Sequence, residues 1–216
     1  MNCRPKISRR RGARSDEKDV LLVRSLRGFS LIELLATALI IMILVTLYWG
    51  GNSASRQKSR QTVCRQNLQK IYIGMEIFAN EHGRKYPEKP GAQTSAEALD
   101  VLVPRYTADT ATFTCPGSKD SPPPGGKSIA DRRISYAYYM GRSSGDAQEA
   151  LMTDRQVNNK SKSLNQPLFS STGKPPGNNH REYGGNILFC DGHAEVSPPN
   201  SVFSLVLTQG VVLLNP

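Results

Sequence analysis

The feature that most constrains this chain is the stretch RGFSLIELLATALIIMILVTLYW, Arg27 to Trp49. From Phe29 to Trp49 it runs for 21 residues with one charge, Glu33. A helix of that length, rising ~1.5 Å per residue, covers roughly 30 Å, about one bilayer core. Tyr48 and Trp49 close the run where an aromatic interface belt belongs. A single run of this kind near the N-terminus, followed by a polar remainder, predicts one anchor and one outer domain. A secretory signal peptide fits less well, because its apolar core is shorter and a small-residue cleavage site follows it.

Charge gives the orientation. The formal net charge is +10. Residues 1–28 hold nine Lys/Arg against Asp16, Glu17 and Asp19, a net of +6, which leaves +4 for the other 188 residues. The basic balance therefore belongs mostly to the leader and is poor support for a nucleic-acid surface. The same cluster places the N-terminus in the cytoplasm and the following domain outside. Glu33 is the anomaly, since an ionised carboxylate in hydrocarbon costs on the order of 3 kcal/mol on insertion scales. Its place near the cytoplasmic end lowers that cost.

The run Gly28-Phe29-Ser30-Leu31-Ile32-Glu33-Leu34-Leu35 resembles the cleavage and methylation signal of type IV prepilins and type II secretion pseudopilins. The resemblance implies cleavage after Gly28, N-methylation of Phe29, and a role for Glu33 in assembly. There its carboxylate neutralises the Phe29 amine of a neighbouring subunit. It also implies the partners: a prepilin peptidase and methyltransferase, other pilin-like subunits, an inner-membrane platform protein, an assembly ATPase and membrane lipid, with no specific nucleic acid. The implied location is the inner membrane, single-pass, N-terminus cytoplasmic and head periplasmic, then a filament in the envelope or at the cell surface.

Beyond Gly50-Gly51-Asn52, a flexible point, helical signals resume. Cys64, Leu68, Ile71, Met75 and Phe78 follow 4-3-4-3 spacing and predict one buried stripe on a helix from about 53 to 82. Gly83 and Pro87 stop it. The expected organisation is a cleaved basic leader (1–28), a transmembrane helix (29–49), its amphipathic continuation (50–83) and a globular head with long polar loops (84–216). In the head, 95–106 reads as a short helix, 110–120 as a strand and turn, 132–141 as an alternating strand, 149–155 as a second strand, and 157–179 as a polar loop. Asn186–Cys190 and His193–Val196 read as a hairpin turning at Asp191-Gly192. The apolar end, 201–216, reads as an added strand or a subunit contact. The expected fold class is α+β and pilin-like: one long N-terminal helix, half transmembrane and half amphipathic, packed on a small antiparallel sheet.

The head extends the resemblance. QTVCRQNLQKI, GRKYP, the Cys115-Pro116 step, SYAYYM and GGNILFCDGH resemble a planctomycete-type pilin-like subfamily with a C-terminal signature of His, nine residues and Asp-Gly. Here that signature falls on His180, Asp191 and Gly192, with ten residues between His180 and Asp191, one more than the signature has. Asp154, His180, Asp191 and His193 are metal candidates. Asp154 and Asp191, with Asn186, are the oxygen set for a calcium of the kind found in some major pseudopilins. Zinc on His180, His193 and Cys190 is the alternative. The structural reading of the same residues is a hairpin turn at Asp191-Gly192 and a hydrogen-bonding His180. Four cysteines are present, with Cys3 in the leader. Cys64 with Cys115 is the candidate disulfide, tying helix to head, and Cys115 with Cys190 is the alternative.

No nucleophile–base pair stands out, so the expectation is a structural filament subunit of a type II secretion-like system rather than an enzyme, with no cofactor beyond that calcium. The alternatives are a type IV pilus minor pilin, a membrane-anchored metal-binding domain, and a surface binder stacking ligands on Tyr136, Tyr138 and Tyr139.

Overall fold

The structure, a computed structural model, describes residues 28–49 and 53–216. The leader up to Arg27 and the Gly50-Gly51-Asn52 step lie outside the described residues. The chain divides into two compact units at Tyr48.

The first unit carries α1, Leu31–Trp49. Ser30 stands at its start: its carbonyl accepts from Glu33 N–H (3.0 Å) and Leu34 N–H (3.1 Å). Serine favours such a position, and Glu33 in the first turn meets the positive end of the helix dipole. The apolar side chains of α1 are exposed, from Leu31 at 78% to Val45 at 43%.

The expected single long helix is corrected. Two helices are present, α1 of 19 residues and α2, Ser53–Glu81, of 29. Among the described residues no helix is long and apolar enough to cross a membrane. α2 is long enough but polar, carrying Arg56, Lys58, Arg60, Arg65 and Lys70.

In the second unit, α2 buries Cys64, Leu68, Ile71, Met75 and Phe78 on one face. Gly83, at φ 63°, ends it. Arg84 N–H then reaches back to the Ala79 carbonyl at 2.7 Å, the six-to-one bond of a Schellman cap. A five-stranded antiparallel sheet follows: β1 Tyr136–Met140, β2 Ala150–Asp154, β3 Gly185–Phe189, β4 Ala194–Ser197 and β5 Val212–Leu214, in the order β4-β3-β2-β1-β5. The short helix α3, Ser95–Leu99, continues as a 3-10 turn to Leu102.

Two local expectations change. Residues 110–113 form a 3-10 turn instead of a strand. Asp109 accepts from Ala111 N–H (3.2 Å) and Thr112 Oγ1 donates to the Asp109 carbonyl (2.7 Å). Such local bonds compete with extended pairing. Every residue of β1 is buried, where alternation predicted one covered face. Tyr136, Tyr138 and Met140 meet the α2 stripe. Ala137 and Tyr139 meet Leu168 and Phe169 from the segment read as a polar loop, and Leu205 from the apolar end, whose Val212–Leu214 adds strand β5 as the sequence suggested. Those segments form a second layer on the far side of the sheet.

Gly74 tests the fit between α2 and the turn after α3. A Cβ there would collide with Thr107 Oγ1 and sit 3.0 Å from the Tyr106 carbonyl oxygen. In an open helix Gly→Ala stabilises by ~1 kcal/mol. Here Gly74→Ala is expected to destabilise, read as a lowered denaturant midpoint. A raised midpoint would show that the turn yields.

Candidate functional site

The second unit is organised around one buried carboxylate. Asp154 ends β2 and is fully buried. Its Oδ1 accepts from Asn179 Nδ2 at 2.9 Å. Its Oδ2 accepts from the Asn186 backbone N–H at 2.8 Å and Asn186 Nδ2 at 2.9 Å. His180 Nε2 lies 3.3 Å from the same Oδ2. The partners reach further: Asn179 Nδ2 also donates to the Ser135 carbonyl (2.7 Å), and Asn186 Nδ2 to the Gln61 carbonyl on α2 (3.1 Å). One acid thus joins β2, β3 and the turn before it, and through the two asparagines the approach to β1 and helix α2.

Burial pushes the Asp154 carboxyl up, but the His180 ring and the bonds from His180, Asn179 and the Asn186 backbone outweigh it and hold it below the ordinary carboxylate value. A proton on His180 Nε2 faces Asp154 Oδ2. The His180 Nδ1 has no partner among the described residues. Nδ1 faces the backbone of Gly117, where a Cβ would stand 2.7 Å away, so glycine is what lets the ring approach.

His180 Nε2 is also 3.4 Å from Cys115 Sγ. Cys115 is joined to Cys64 by a disulfide with a Cα–Cα separation of 5.3 Å, inside the usual range. The bond ties α2 to the segment after the 3-10 turn. A closed loop of 51 residues corresponds to about 4 kcal/mol in the chain-entropy treatment. Cys190 is free and buried, and burial pushes its thiol up to about 12, so it is a packing residue with little thiolate character.

The other candidates stand apart. Asp191 lies in the turn between β3 and β4, with its side chain 35% exposed. It accepts from the His193 N–H (3.0 Å) and pairs with His193 Nδ1. Burial raises its carboxyl, but the His193 bonds and charge hold it below the usual value. Gly192 has φ 86°, and a Cβ there would lie 2.5 Å from Tyr72 Cε1, so only glycine fits. Asp154 sits beside the first residues of β3 and Asp191 beyond its last, roughly five residues or ~17 Å of strand away. The calcium pair Asp154 and Asp191 is not brought together. Neither is the zinc trio, because His180 is buried beside Cys115 and His193 is at the exposed turn. Tyr136, Tyr138 and Tyr139 are at most 1% exposed, with the Tyr138 hydroxyl donating to the Pro87 carbonyl at 2.7 Å. They form core, leaving no ring face for a ligand.

In the first unit, Gly28, Phe29 and Ser30 precede the helix and are exposed, and Glu33 is exposed in its first turn. Sequence reasoning missed Asn179, Gln61 and Gly117 altogether. The available signal was chemical: Asp154 is the one acid in the apolar strand ALMTD, and a buried acid needs several donors. No family model matches the chain, and no curated protein or solved structure is significantly similar to it.

Because the Asp154 carboxyl is held below its unfolded value, its contribution is complete above the unfolded value, about 4, and is lost as pH falls through the folded one. Asp154→Asn is expected to cost roughly 3 kcal/mol at neutral pH. It should also flatten the loss of stability below about pH 4. Denaturant midpoints of both proteins at neutral and acid pH check this. Parallel pH profiles would contradict it.

Proposed function

We propose that the chain is a structural filament subunit, a pseudopilin of a type II secretion-like system, and not an enzyme. The observation that carries the reading is the sequence at the start of α1. Gly28-Phe29 lies exposed ahead of a helix that begins at Leu31, with Glu33 in the first turn and apolar side chains exposed beyond it. A peptidase needs an extended, accessible peptide bond, and Gly28-Phe29 is non-helical. Cleavage leaves an amine on Phe29, which methylation keeps basic.

Exposed apolar side chains along a helix call for lipid or other copies as partners. The apolar segment 29–49 holds the chain at the inner membrane, with the basic leader on the cytoplasmic side and the second unit outside, where a Cys64–Cys115 disulfide persists. The prepilin peptidase and methyltransferase, the platform protein and the assembly ATPase act on it there. In the filament, Glu33 of one subunit meets the Phe29 amine of its neighbour. In a low-dielectric setting each charge is expensive alone and tolerable when paired, so the pair selects one register between subunits.

Glu33→Leu removes the acid and keeps the apolar length. The variant should enter the membrane and be processed normally but be absent from sheared filaments, while Glu33→Asp retains partial assembly. Normal incorporation of Glu33→Leu would refute the assembly role.

A further inference from the structure

Four ligating atoms from four distant parts of the chain converge beside the carboxylate hub. The Cys64 and Cys115 sulfurs, an Asp154 oxygen and a His180 ring nitrogen all lie within 4.8 Å of one another, and all four residues are buried. A tetrahedral zinc ion with bonds of ~2.0–2.3 Å places its ligands roughly 3.3–3.8 Å apart. His180 Nε2 already stands 3.3 Å from Asp154 Oδ2 and 3.4 Å from Cys115 Sγ. Two sulfurs, one imidazole and one carboxylate make a zinc donor set.

The surroundings of the carboxylate are those of a supported metal ligand. Asn179 Nδ2, the Asn186 N–H and Asn186 Nδ2 fix the orientation of Asp154, as outer partners do in metal centres. What prevents coordination in this structure is the bond between the two sulfurs.

We propose that the dithiol form of this protein holds one zinc ion on Cys64, Cys115, Asp154 and His180, so that the same point is closed by a disulfide when oxidised and by zinc when reduced. A dithiol reductant opens the Cys64–Cys115 bond. Its two thiols become a disulfide, and their two protons and electrons pass to Cys64 and Cys115. Zinc then displaces both thiol protons and binds two thiolates, the Asp154 carboxylate and the neutral His180 ring, for a net charge of −1 at the centre. In either state α2 stays fastened to the segment carrying Cys115. The site is distinct from the Asp154–Asp191 and His180–His193–Cys190 combinations, which the fold keeps apart. It does not depend on the filament role.

The test uses the full chain in detergent, with Co²⁺ as the probe for zinc. The reduced protein should take up one Co²⁺ per chain, with the visible bands of a tetrahedral ion and a thiolate-to-metal band in the near ultraviolet. The oxidised protein should take up none. Cys64→Ser and Asp154→Asn should each weaken binding by roughly tenfold or more, while Cys3→Ser and Cys190→Ser leave it unchanged. Cys64→Ser is compared with a reduced chain that already lacks the disulfide, so its loss of metal reports the ligand and not the bond. Three results would overturn the proposal: no Co²⁺ uptake by the reduced chain, uptake without a thiolate band, or uptake that survives Cys64→Ser and disappears with Cys190→Ser.

Discussion

The second unit depends on a fully buried carboxylate. Asp154 is fully buried and remains ionised only because Asn179, Asn186 and His180 surround it with donors. Each donor is fixed by a second bond or a close neighbour: Asn179 to the Ser135 carbonyl, Asn186 to the Gln61 carbonyl, His180 against Gly117 and Cys115. Removing any one leaves a charge or a dipole unpaired in a low-dielectric interior, where that is costly. The arrangement therefore specifies how helix, sheet and connecting segments meet, which apolar packing alone does loosely. The disulfide touches the same cluster, so covalent and electrostatic fastening of α2 occur at one place.

The two units solve opposite problems. The second buries its apolar side chains in two layers, one on each face of the sheet. The first exposes them along α1. In the proposed function that exposed face is covered by lipid or by other copies. The proposed function draws on that contrast together with the Gly28-Phe29 and Glu33 pattern.

The legible parts of the sequence were those with a repeating physical signature. The stripe Cys64, Leu68, Ile71, Met75 and Phe78 has helical spacing, and all five residues are buried. Gly83 and Gly192 occupy positive-φ positions where glycine alone is free of strain. The illegible parts lack such a signature. Leu168 and Phe169 are isolated in a polar loop and Leu205 in an apolar end without a clear period, so no period announced a second layer over the sheet. Residues 110–113 look extended by composition and turn because Asp109 and Thr112 bond locally. The single long helix expected at the N-terminus is described as α1 and α2, with the Gly50-Gly51-Asn52 step between them outside the described residues. The site was legible residue by residue but not in its grouping. His180 and Asp154 drew attention separately, while their meeting with Asn179, Asn186 and the cysteines depends on tertiary contacts across up to 125 residues of sequence.

In the proposed function, membrane anchoring and filament assembly both depend on the start of α1 being a processing signal. Intact mass and N-terminal sequencing of the membrane-extracted protein test it most directly. The prediction is a mature chain beginning at Phe29 and heavier than the bare sequence by one methyl group. A chain that keeps its leader, or one cut anywhere other than after Gly28, would contradict it.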